Sequence, residues 1–477
     1  MKKALAISVG LVFALACADS VTEPSIEAPA PAFKAVPAPD ITVDPSGDVS
    51  GAIDADAIEA ALIAAAPSDV IELAEGTFYI NRTLVAPTAF GGTLRGARKG
   101  ETTIMGVGTG STPFGNAPIN FPGEPGLLNG SSFFFFPQPS GHLAVSDLTT
   151  SLPDNFVAEL HAYGGTELVI FFTVQLGSDD CSTSFENLRL QGTEAGGTAP
   201  PWMVHQPLFG IGVTGLDVAF PSFSSGGNHA VKDSEISKVG IQAIVHEIFR
   251  DASIEITDNT LTDVKQVNTR WLDGANVSIT GNTMNTFSWG AIVVTQEGVP
   301  VPGDASNVVI RGNDVSTTGF AGIEVASIPE ATRPHFNLLI EKNKIVKAGP
   351  DPIDMFPNLA GIALFGLHDG AMVRNNKIGG EGLIGILIVE VDNSVFMGNN
   401  LQGFTPINAD YVLGPPGPPG SNDNTIVGVG NGTVVVNFGS GNIITGLTRV
   451  PGESIGERIK AAQQKRKEIL EAMGGSY

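Results

Sequence analysis

Long apolar runs are scarce in this chain, and the one present lies at the N-terminus. Lys2 and Lys3 precede the apolar run Ala4 to Ala16, which ends at Cys17. This order predicts a signal peptide in residues 1–16 and a lipidated Cys17, with an ordinary cleaved signal as the alternative. Residues 17–44, rich in Ala, Pro and Glu, predict a flexible tether. We therefore expect a secreted protein of the cell envelope, an outer-membrane or cell-surface lipoprotein that contacts the membrane only through its lipid.

Cysteine is also scarce, with two in 477 residues. If Cys17 carries lipid, Cys181 has no partner within the chain, and no disulfide framework is expected. A catalytic role for Cys181 is disfavoured, because buried and inert thiols are far commoner than reactive ones. Two cysteines and seven scattered histidines lack the spacing of zinc ligands. The sequence therefore predicts no metal site.

Positive charge is the third deficit, with 26 Lys and Arg against 49 Asp and Glu and a net charge of −23. Such a surface excludes nucleic acid as a partner, because binding phosphates needs a basic face. It also repels polyanionic glycans unless a local basic groove or bridging Ca²⁺ offsets the field. Any glycan that bound such a surface would therefore be expected to be neutral or weakly charged. Only three Trp are present, so no conspicuous aromatic platform for sugars is expected.

A repeat dominates the region from Ser253 to Gly446. Its clearest copies read NVSITGN, NVVIRGN, NLLIEKN and NSVFMGN, and its looser copies are SIEITDN and GAMVRNN. Each copy closes on an Asn, and the closing residues recur at intervals of 23 to 33 residues: Asn259, Asn282, Asn313, Asn343, Asn376 and Asn399. One supersecondary unit repeated with insertions of variable length is typical of a solenoid.

The residue types of the repeat indicate strands joined by tight turns. Each copy is an alternating β-branched run followed by Asn or Gly. We expect each closing Asn to take the left-handed conformation that turns the chain, and to hydrogen-bond to its equivalents in neighbouring coils. Second strands follow in several copies, at 289–296, 321–327, 360–366 and 384–390. The Asn residues are thus expected to be stability positions.

These motifs resemble the right-handed parallel β-helix of the pectate lyase-like superfamily. The resemblance implies an all-β solenoid of about 10–12 coils over residues 45–450, with an irregular, insertion-rich part at 107–227 and regular coils at 228–446. A helix at Asp54 to Ala66 is expected to cap the first coil, and residues 451–477 predict an amphipathic C-terminal helix that begins with the capping box of Ser454 and Glu457. A monomer is expected.

Chemistry on such a fold belongs to the outward side chains, which stack about 4.8 Å apart in successive coils. Carboxylates one or two coils apart would then be about 5–10 Å apart, the range that glycoside hydrolysis needs. Alignment of the second strands predicts that five outward positions lie in nearly one column: Glu247, Thr295, Ser327, Gly366 and Glu390. His246, Arg270 and Glu324 are expected at neighbouring outward positions. Glu247 and Glu324 are candidates for acid and base, and Arg270 for assisting proton removal beside a uronate. The alternative is a solvated outer face without chemistry.

Two family patterns can be compared directly with this sequence. Hydrolases that resemble polygalacturonase carry NTD, DD and GHG stretches, of which only the DD at Asp179 and Asp180 occurs here. Pectate lyases of this fold hold Ca²⁺ in a carboxylate cluster, and no compact Asp cluster on one strand is visible. A Ca²⁺ site therefore has no supporting motif, and no other cofactor is expected.

Three functions remain open at this point. The resemblance implies an enzyme that acts on an extracellular polysaccharide, as a lyase, hydrolase or epimerase. A non-catalytic glycan-binding lipoprotein and a structural or adhesive β-helix are the alternatives. The repeat does not decide among the three, because its motifs are structural.

Overall fold

The structure is a computed structural model, and every element below lies in the unit Pro39–Tyr477. It describes residues 37–88, 90–107, 130–153, 168–176, 181–194, 205–206, 209–215, 224–287, 289–296, 304–327, 336–348, 358–366, 371–413, 421–427, 434–437, 439–445 and 448–449. The predicted signal, Cys17, the tether up to residue 36, the Asp179–Asp180 pair and the C-terminal helix lie outside the described residues and stay predictions.

Three rows of parallel strands form the wall of the solenoid. Row one is a fourteen-stranded sheet in which each strand pairs in parallel with its equivalent in the next coil. Its strands are Ile41–Val43, Val70–Leu73, Thr93–Gly96, His142–Ser146, Ser182–Glu186, Asn228–Lys232, Ser253–Thr257, Asn276–Thr280, Ser306–Arg311, Phe336–Glu341, Met372–Arg374, Val395–Met397, Thr425–Val427 and Ile443–Thr445. The predicted parallel β-helix is confirmed, with fourteen strands in this row where about 10–12 coils were expected.

Rows two and three form a second sheet, because four long strands bend through both rows: Glu235–Arg250, Thr260–Asp273, Lys377–Val389 and Asn400–Leu413. The other strands of row two are Gly76–Ile80, Thr102–Gly106, Thr149–Ser151, Arg189–Gln191, Thr283–Thr286, Asp314–Thr317 and Lys344–Ala348. Those of row three are Leu84–Val85, Gly130–Pro137, Leu168–Leu176, Phe209–Gly215, Ser224–Ser225, Ile292–Thr295, Ala321–Ala326, Ala360–Phe365, Val434–Asn437 and Thr448–Arg449. A short antiparallel pair, Thr193–Glu194 with His205–Gln206, stands apart from the rows.

One helix, Ala52–Ala64, lies near the first coil. It matches the helix expected at Asp54 to Ala66 apart from its ends, and it buries Ile58 and Leu62. Asp54 is fully buried, and its carboxylate accepts hydrogen bonds from the backbone N–H groups of Ser46 at 2.7 Å and Tyr79 at 2.8 Å. These bonds tie the helix to the first coil. Its role as a cap stays a prediction. No helix among the described residues is long and apolar enough to cross a membrane.

Apolar side chains from all three rows meet in one continuous interior. The run Phe133 to Phe136, in the irregular part of the sequence, belongs to row three and is buried, as expected of a core segment. Phe134 stacks on Phe172 of the next coil with 5.5 Å between ring centroids. The parallel strands of residues 130–215 therefore continue the rows of the regular coils.

The turn between rows one and two corrects one expectation about the repeat. The left-handed residue is the one before each closing Asn, as at Asp258 (φ 56°), Gly281 (φ 69°) and Lys342 (φ 57°). None of the six closing Asn residues has a positive φ. Their side chains instead point into the turn, where the Nδ2 of Asn282 donates to the backbone oxygen of Ile256 at 2.8 Å. Each closing Asn contributes the hydrogen bonds of its side-chain amide. The residue before it takes the left-handed conformation that turns the chain.

Candidate functional site

Row three carries the residues singled out for chemistry, and strand register fixes which of them share a column. Glu247 pairs with Arg270, and Arg270 pairs with Thr295 of the following coil. The column continues through Ala326, Phe365 and Val389. The column expected from the sequence is therefore wrong beyond Thr295, because Ser327, Gly366 and Glu390 each lie one residue further along.

Glu390 is removed from the candidate site by this register. It follows the strand Lys377–Val389 at a left-handed turn position with φ 55°. Its coil lies five steps from that of Glu247, a separation of roughly 24 Å at the strand spacing of a β-sheet. The two carboxylates cannot act on one glycosidic bond.

Glu247 and Arg270 form a close ion pair on the outer side of row three. Arg270 Nε lies 2.6 Å from Glu247 Oε2, and the two side chains are 11% and 0% exposed. The guanidinium carbon of Arg270 lies 4.1 Å from the ring centroid of Trp271, which is itself buried. Stacking on an aromatic face and pairing with a carboxylate both suit a guanidinium. Arg270 is thereby held in one orientation.

The second oxygen of Glu247 distinguishes this pair from the structural ion pairs of the solenoid. Glu341 in row one uses both oxygens, with Arg311 Nε at 2.6 Å from Oε1 and Arg374 Nε at 2.7 Å from Oε2. Glu247 Oε1 is buried and has no hydrogen-bond partner among the described residues. An unpartnered buried carboxylate oxygen costs stability, and such atoms concentrate at functional sites.

A second ion pair joins the same two strands three residues further on. Arg250 Nε lies 2.7 Å from Asp273 Oδ2, and the charges run in the opposite order from those of Glu247 and Arg270. The Arg250 side chain is 37% exposed, so this pair lies nearer to solvent. It provides an internal comparison for the Glu247 pair, because it has the same chemistry at the edge of the same strands.

Glu324 lies on the same outer side but apart from Glu247. Register places it in a column with Asn268 and Val293, and it is 1% exposed. A Cβ added at Gly290 would lie 3.3 Å from Glu324 Oε2, so this glycine leaves room for the carboxylate. Glu324 is three coils from Glu247, roughly 15 Å at the strand spacing. The expectation that they form an acid and base pair is therefore wrong.

His246 was expected on the outer face and instead points into the core. It stacks with Val213, Thr269 and Val294, and both valines belong to the core cluster. Its ring centroid lies 6.1 Å from that of Phe249. Side chains alternate across a strand, so Glu247 and His246 cannot both face outward. Burial lowers the pKa of His246 to about 3, which keeps the ring neutral.

Cys181 lies in the core and its thiol has little reactivity. It is 2% exposed, and burial raises its pKa to about 11. A thiol with so high a pKa holds almost no thiolate at neutral pH, and the thiolate is the nucleophile. Across the part of the chain that the structure describes, no three His, Cys, Asp or Glu side chains are grouped as metal ligands. No residue set for Ca²⁺ is therefore visible there.

Two tryptophans and a lysine near this face were not anticipated from the sequence. The Nζ of Lys265 lies 5.8 Å from the ring centroid of Trp289 and 6.0 Å from that of Phe287, and Lys265 is 2% exposed. Trp271 and Trp289 thus bring two of the three tryptophans to neighbouring coils of row three. The dipeptide Arg270–Trp271 was the available signal, since a guanidinium and an indole often stack.

Comparison with known proteins shows likeness at the level of fold alone. No protein-family model and no curated protein matches the sequence. The DFA-IIIase of Arthrobacter chlorophenolicus A6 without its lid matches with 12% identity over 86% of this chain and 98% of that one, at a TM-score of 0.47. A GH87 alpha-1,3-glucanase of Streptomyces thermodiastaticus matches with 14% identity over 87% and 70%, at a TM-score of 0.42. PfbA, a surface adhesin of Streptococcus pneumoniae, matches with 14% identity over 78% and 94%, at a TM-score of 0.44.

Proposed function

We propose that this protein acts on an extracellular polysaccharide at Glu247 and Arg270. The observation that carries the proposal is the buried Glu247 Oε1, which has no hydrogen-bond partner among the described residues although Oε2 is paired with Arg270. Natural proteins rarely leave a buried carboxylate oxygen without a donor unless it has a role. Arg270, the more exposed of the two side chains, is the group that a sugar meets first.

The separation of the carboxylates favours proton abstraction over hydrolysis. A glycoside hydrolase needs two carboxyl groups about 5–10 Å apart, and Glu324 lies roughly 15 Å from Glu247. One carboxylate beside one guanidinium suits a lyase or an epimerase. When a sugar carboxylate binds Arg270, it competes with Glu247 for the guanidinium and frees Glu247 as a base. Glu247 then removes the proton next to the sugar carboxylate and becomes a carboxylic acid, and Arg270 offsets the negative charge that develops. In a lyase the glycosidic C–O bond then breaks and the leaving oxygen takes up a proton. In an epimerase the same carbon instead regains a proton from water on its opposite face.

The overall charge limits the substrate class. A net charge of −23 repels a dense polyanion, whereas the reaction needs a uronate for Arg270. A polysaccharide in which uronates are sparse satisfies both conditions. We expect the protein to bind a polysaccharide of this kind more strongly than it binds alginate in the presence of a chelator.

The test is turnover of a polysaccharide panel with matched variants. A lyase releases an unsaturated uronate that absorbs in the ultraviolet, and an epimerase changes the sugar proton spectrum without cleavage. Glu247→Gln is expected to lose activity at least 100-fold through the loss of the general base. Arg270→Lys is expected to lose about 100-fold, because a lysine does not reproduce the positioned guanidinium that stabilises the developing charge. Asp273→Asn, in the neighbouring pair, serves as the control and should keep activity. New reducing ends without an unsaturated product, or full activity in Glu247→Gln, would overturn the proposal.

A non-catalytic glycan-binding or adhesive protein is the second candidate. The observation that favours it is the complete burial of Glu247, since a base must reach its substrate. Under this alternative, a glycan array detects binding without turnover, and Arg270→Lys weakens that binding while Glu247→Gln does not.

A further inference from the structure

Two histidines occupy the interior of one coil, defined here as the histidine coil, residues 228–250. His229 comes from row one and His246 from row three, and they are 1% and 0% exposed. The ring of Phe249 lies close to both, with centroids 4.6 Å from His229 and 6.1 Å from His246. Two ionisable rings therefore share one apolar cross-section of the solenoid.

The hydrogen bonding of these two rings is incomplete. His229 Nδ1 lies 3.1 Å from Thr183 Oγ1 of the preceding coil. Neither ring nitrogen of His246 has a partner among the described residues, and the Oγ1 of Thr269, its column neighbour, has none either. A buried ring without acceptors can stay neutral at moderate cost, but a charged ring needs hydrogen-bond acceptors or counter-charges. Among the described residues, His246 has neither on its ring nitrogens.

Few charges face the pair from the surrounding strands. The titratable neighbour that acts on His246 is His229, which would repel it if both rings were protonated. The carbonyl of Gly226 favours protonation of His229, but burial lowers the pKa of this ring by more than the carbonyl raises it. Cys181 lies two residues before Thr183 and stays a neutral thiol. Glu247 and Arg270 are on the opposite side of the wall, where they neutralise each other. In the described part of this interior, no carboxylate faces either ring.

His246 and Thr269 lie on the inner side of the strands that carry Glu247 and Arg270. His246 precedes Glu247 on one strand, and Thr269 precedes Arg270 on the next. A change in the position of His246 therefore shifts the backbone that carries Glu247. Interiors are close-packed, so such a shift cannot be absorbed by empty space.

We propose that the histidine coil is an acid-sensitive switch, in which protonation of His229 and His246 opens the coil and separates Glu247 from Arg270. The histidine coil responds to protons alone, and this inference does not depend on the proposed enzymatic function. Burial holds the pKa of His229 at about 4 and that of His246 at about 3, both below the ordinary value of 6.5. The neutral forms are favoured by folding, so stability is lost as pH falls below 6.5. Lowering the pH from 7 to 5 should raise the equilibrium constant of unfolding about 20-fold for each of the two histidines.

Acid unfolding of the full chain, followed by circular dichroism, tests the stability part. The double variant His229→Leu, His246→Leu is expected to remove about a 400-fold rise in the unfolding equilibrium constant between pH 7 and pH 5. His142→Leu is the control, because this ring is exposed and its Nε2 lies 3.2 Å from the hydroxyl of Ser184. This variant should keep the pH dependence of the parent protein. A double variant with the pH dependence of the parent protein would overturn the proposal.

Hydrogen exchange of the unsubstituted protein tests the local opening and does not require the variants to fold. After correction for intrinsic exchange rates, lowering the pH from 7 to 5 should reduce protection in residues 228–250 and 253–273 more than in residues 306–317. Uniform loss along the solenoid would contradict a local switch. Carbon-13 spectra of labelled histidine should show two rings that remain neutral at pH 5, and titration of all the rings near pH 6.5 would sink the proposal.

Discussion

The side-chain oxygen of Asn313 accepts two hydrogen bonds from Asn282, one from its backbone N–H at 3.0 Å and one from its Nδ2 at 2.9 Å. The same arrangement recurs along the column, and Asn313 in turn donates to Asn343 Oδ1 at 2.9 Å. All three side chains are buried, so water cannot replace a lost partner. Each closing Asn thereby joins two neighbouring turns.

Asn313→Ala should therefore destabilise the fold by about 2–4 kcal/mol, because it leaves two buried donors of Asn282 without an acceptor. The measurement is the urea midpoint of unfolding. Asn307→Ala is the matched control in the same coil, since Asn307 Nδ2 donates to Asn276 Oδ1 at 2.8 Å on the exposed side. Its cost should stay within about 0.5 kcal/mol. Equal costs for both substitutions would show that the buried column is not what stabilises the turns.

Lys342 occupies the left-handed turn position that Gly281 and Gly312 hold in other coils, with φ 57°. A residue with a Cβ pays about 1–2 kcal/mol in this conformation, and Gly does not. Lys342→Gly should raise the free energy of unfolding by roughly 0.5 kcal/mol after the greater chain entropy of Gly is subtracted. The control is Lys344→Gly in the adjacent strand, which should lower it. A decrease of similar size in both variants would argue against strain at Lys342.

Glu341 should make the stability of row one depend on pH. The hydrogen bond from Arg374 lowers the pKa of Glu341 below its usual value of 4.5, and the charge of Arg311 acts in the same direction. A lowered pKa in the folded state means that the stabilisation is present above pH 4.5 and is lost as pH falls through the folded value. Glu341→Gln should flatten the acid limb of the stability curve and lower stability at pH 7. Titration of the unfolding midpoint from pH 7 to pH 3 measures this, and an unchanged acid limb would contradict it.

Asp54 is expected to be the most sensitive polar residue of the helix Ala52–Ala64. Asp54→Ala leaves the N–H groups of Ser46 and Tyr79 without their acceptor and should cost about 2–3 kcal/mol. Asp56 is 74% exposed and lies 2.6 Å from Arg82 Nη2. Asp56→Ala removes only this surface contact and should cost less than about 1 kcal/mol. Thermal unfolding of the two variants separates these outcomes. Loss of the helix signal in both would point to helix propensity as the cause.

The sequence by itself determined the solenoid and its strands. The closing Asn residues and the β-branched runs before them recur often enough to place the turns of row one and the second strands of row three. Residues such as Ile256 and Ile279 alternate with polar neighbours, which assigns them to the interior. The prediction succeeds because the same short pattern occurs many times in the chain. Side chains alternate along a strand, so the pattern also shows which residues face the interior.

Only the tertiary structure decided which outward residues meet. Insertions of different length between coils leave the register ambiguous by one residue, and a shift of one residue moves a side chain to the other face. This ambiguity put Glu390 in the wrong column. His246 was misplaced for another reason, because adjacent residues of one strand face opposite sides and Glu247 faces outward. The ambiguity also hid the contact between Trp271 and Arg270, because the left-handed step at Trp271 depends on how the coil turns. Glu247 and Arg270 are 23 residues apart in sequence, and hydrogen bonding between adjacent coils is what brings them together.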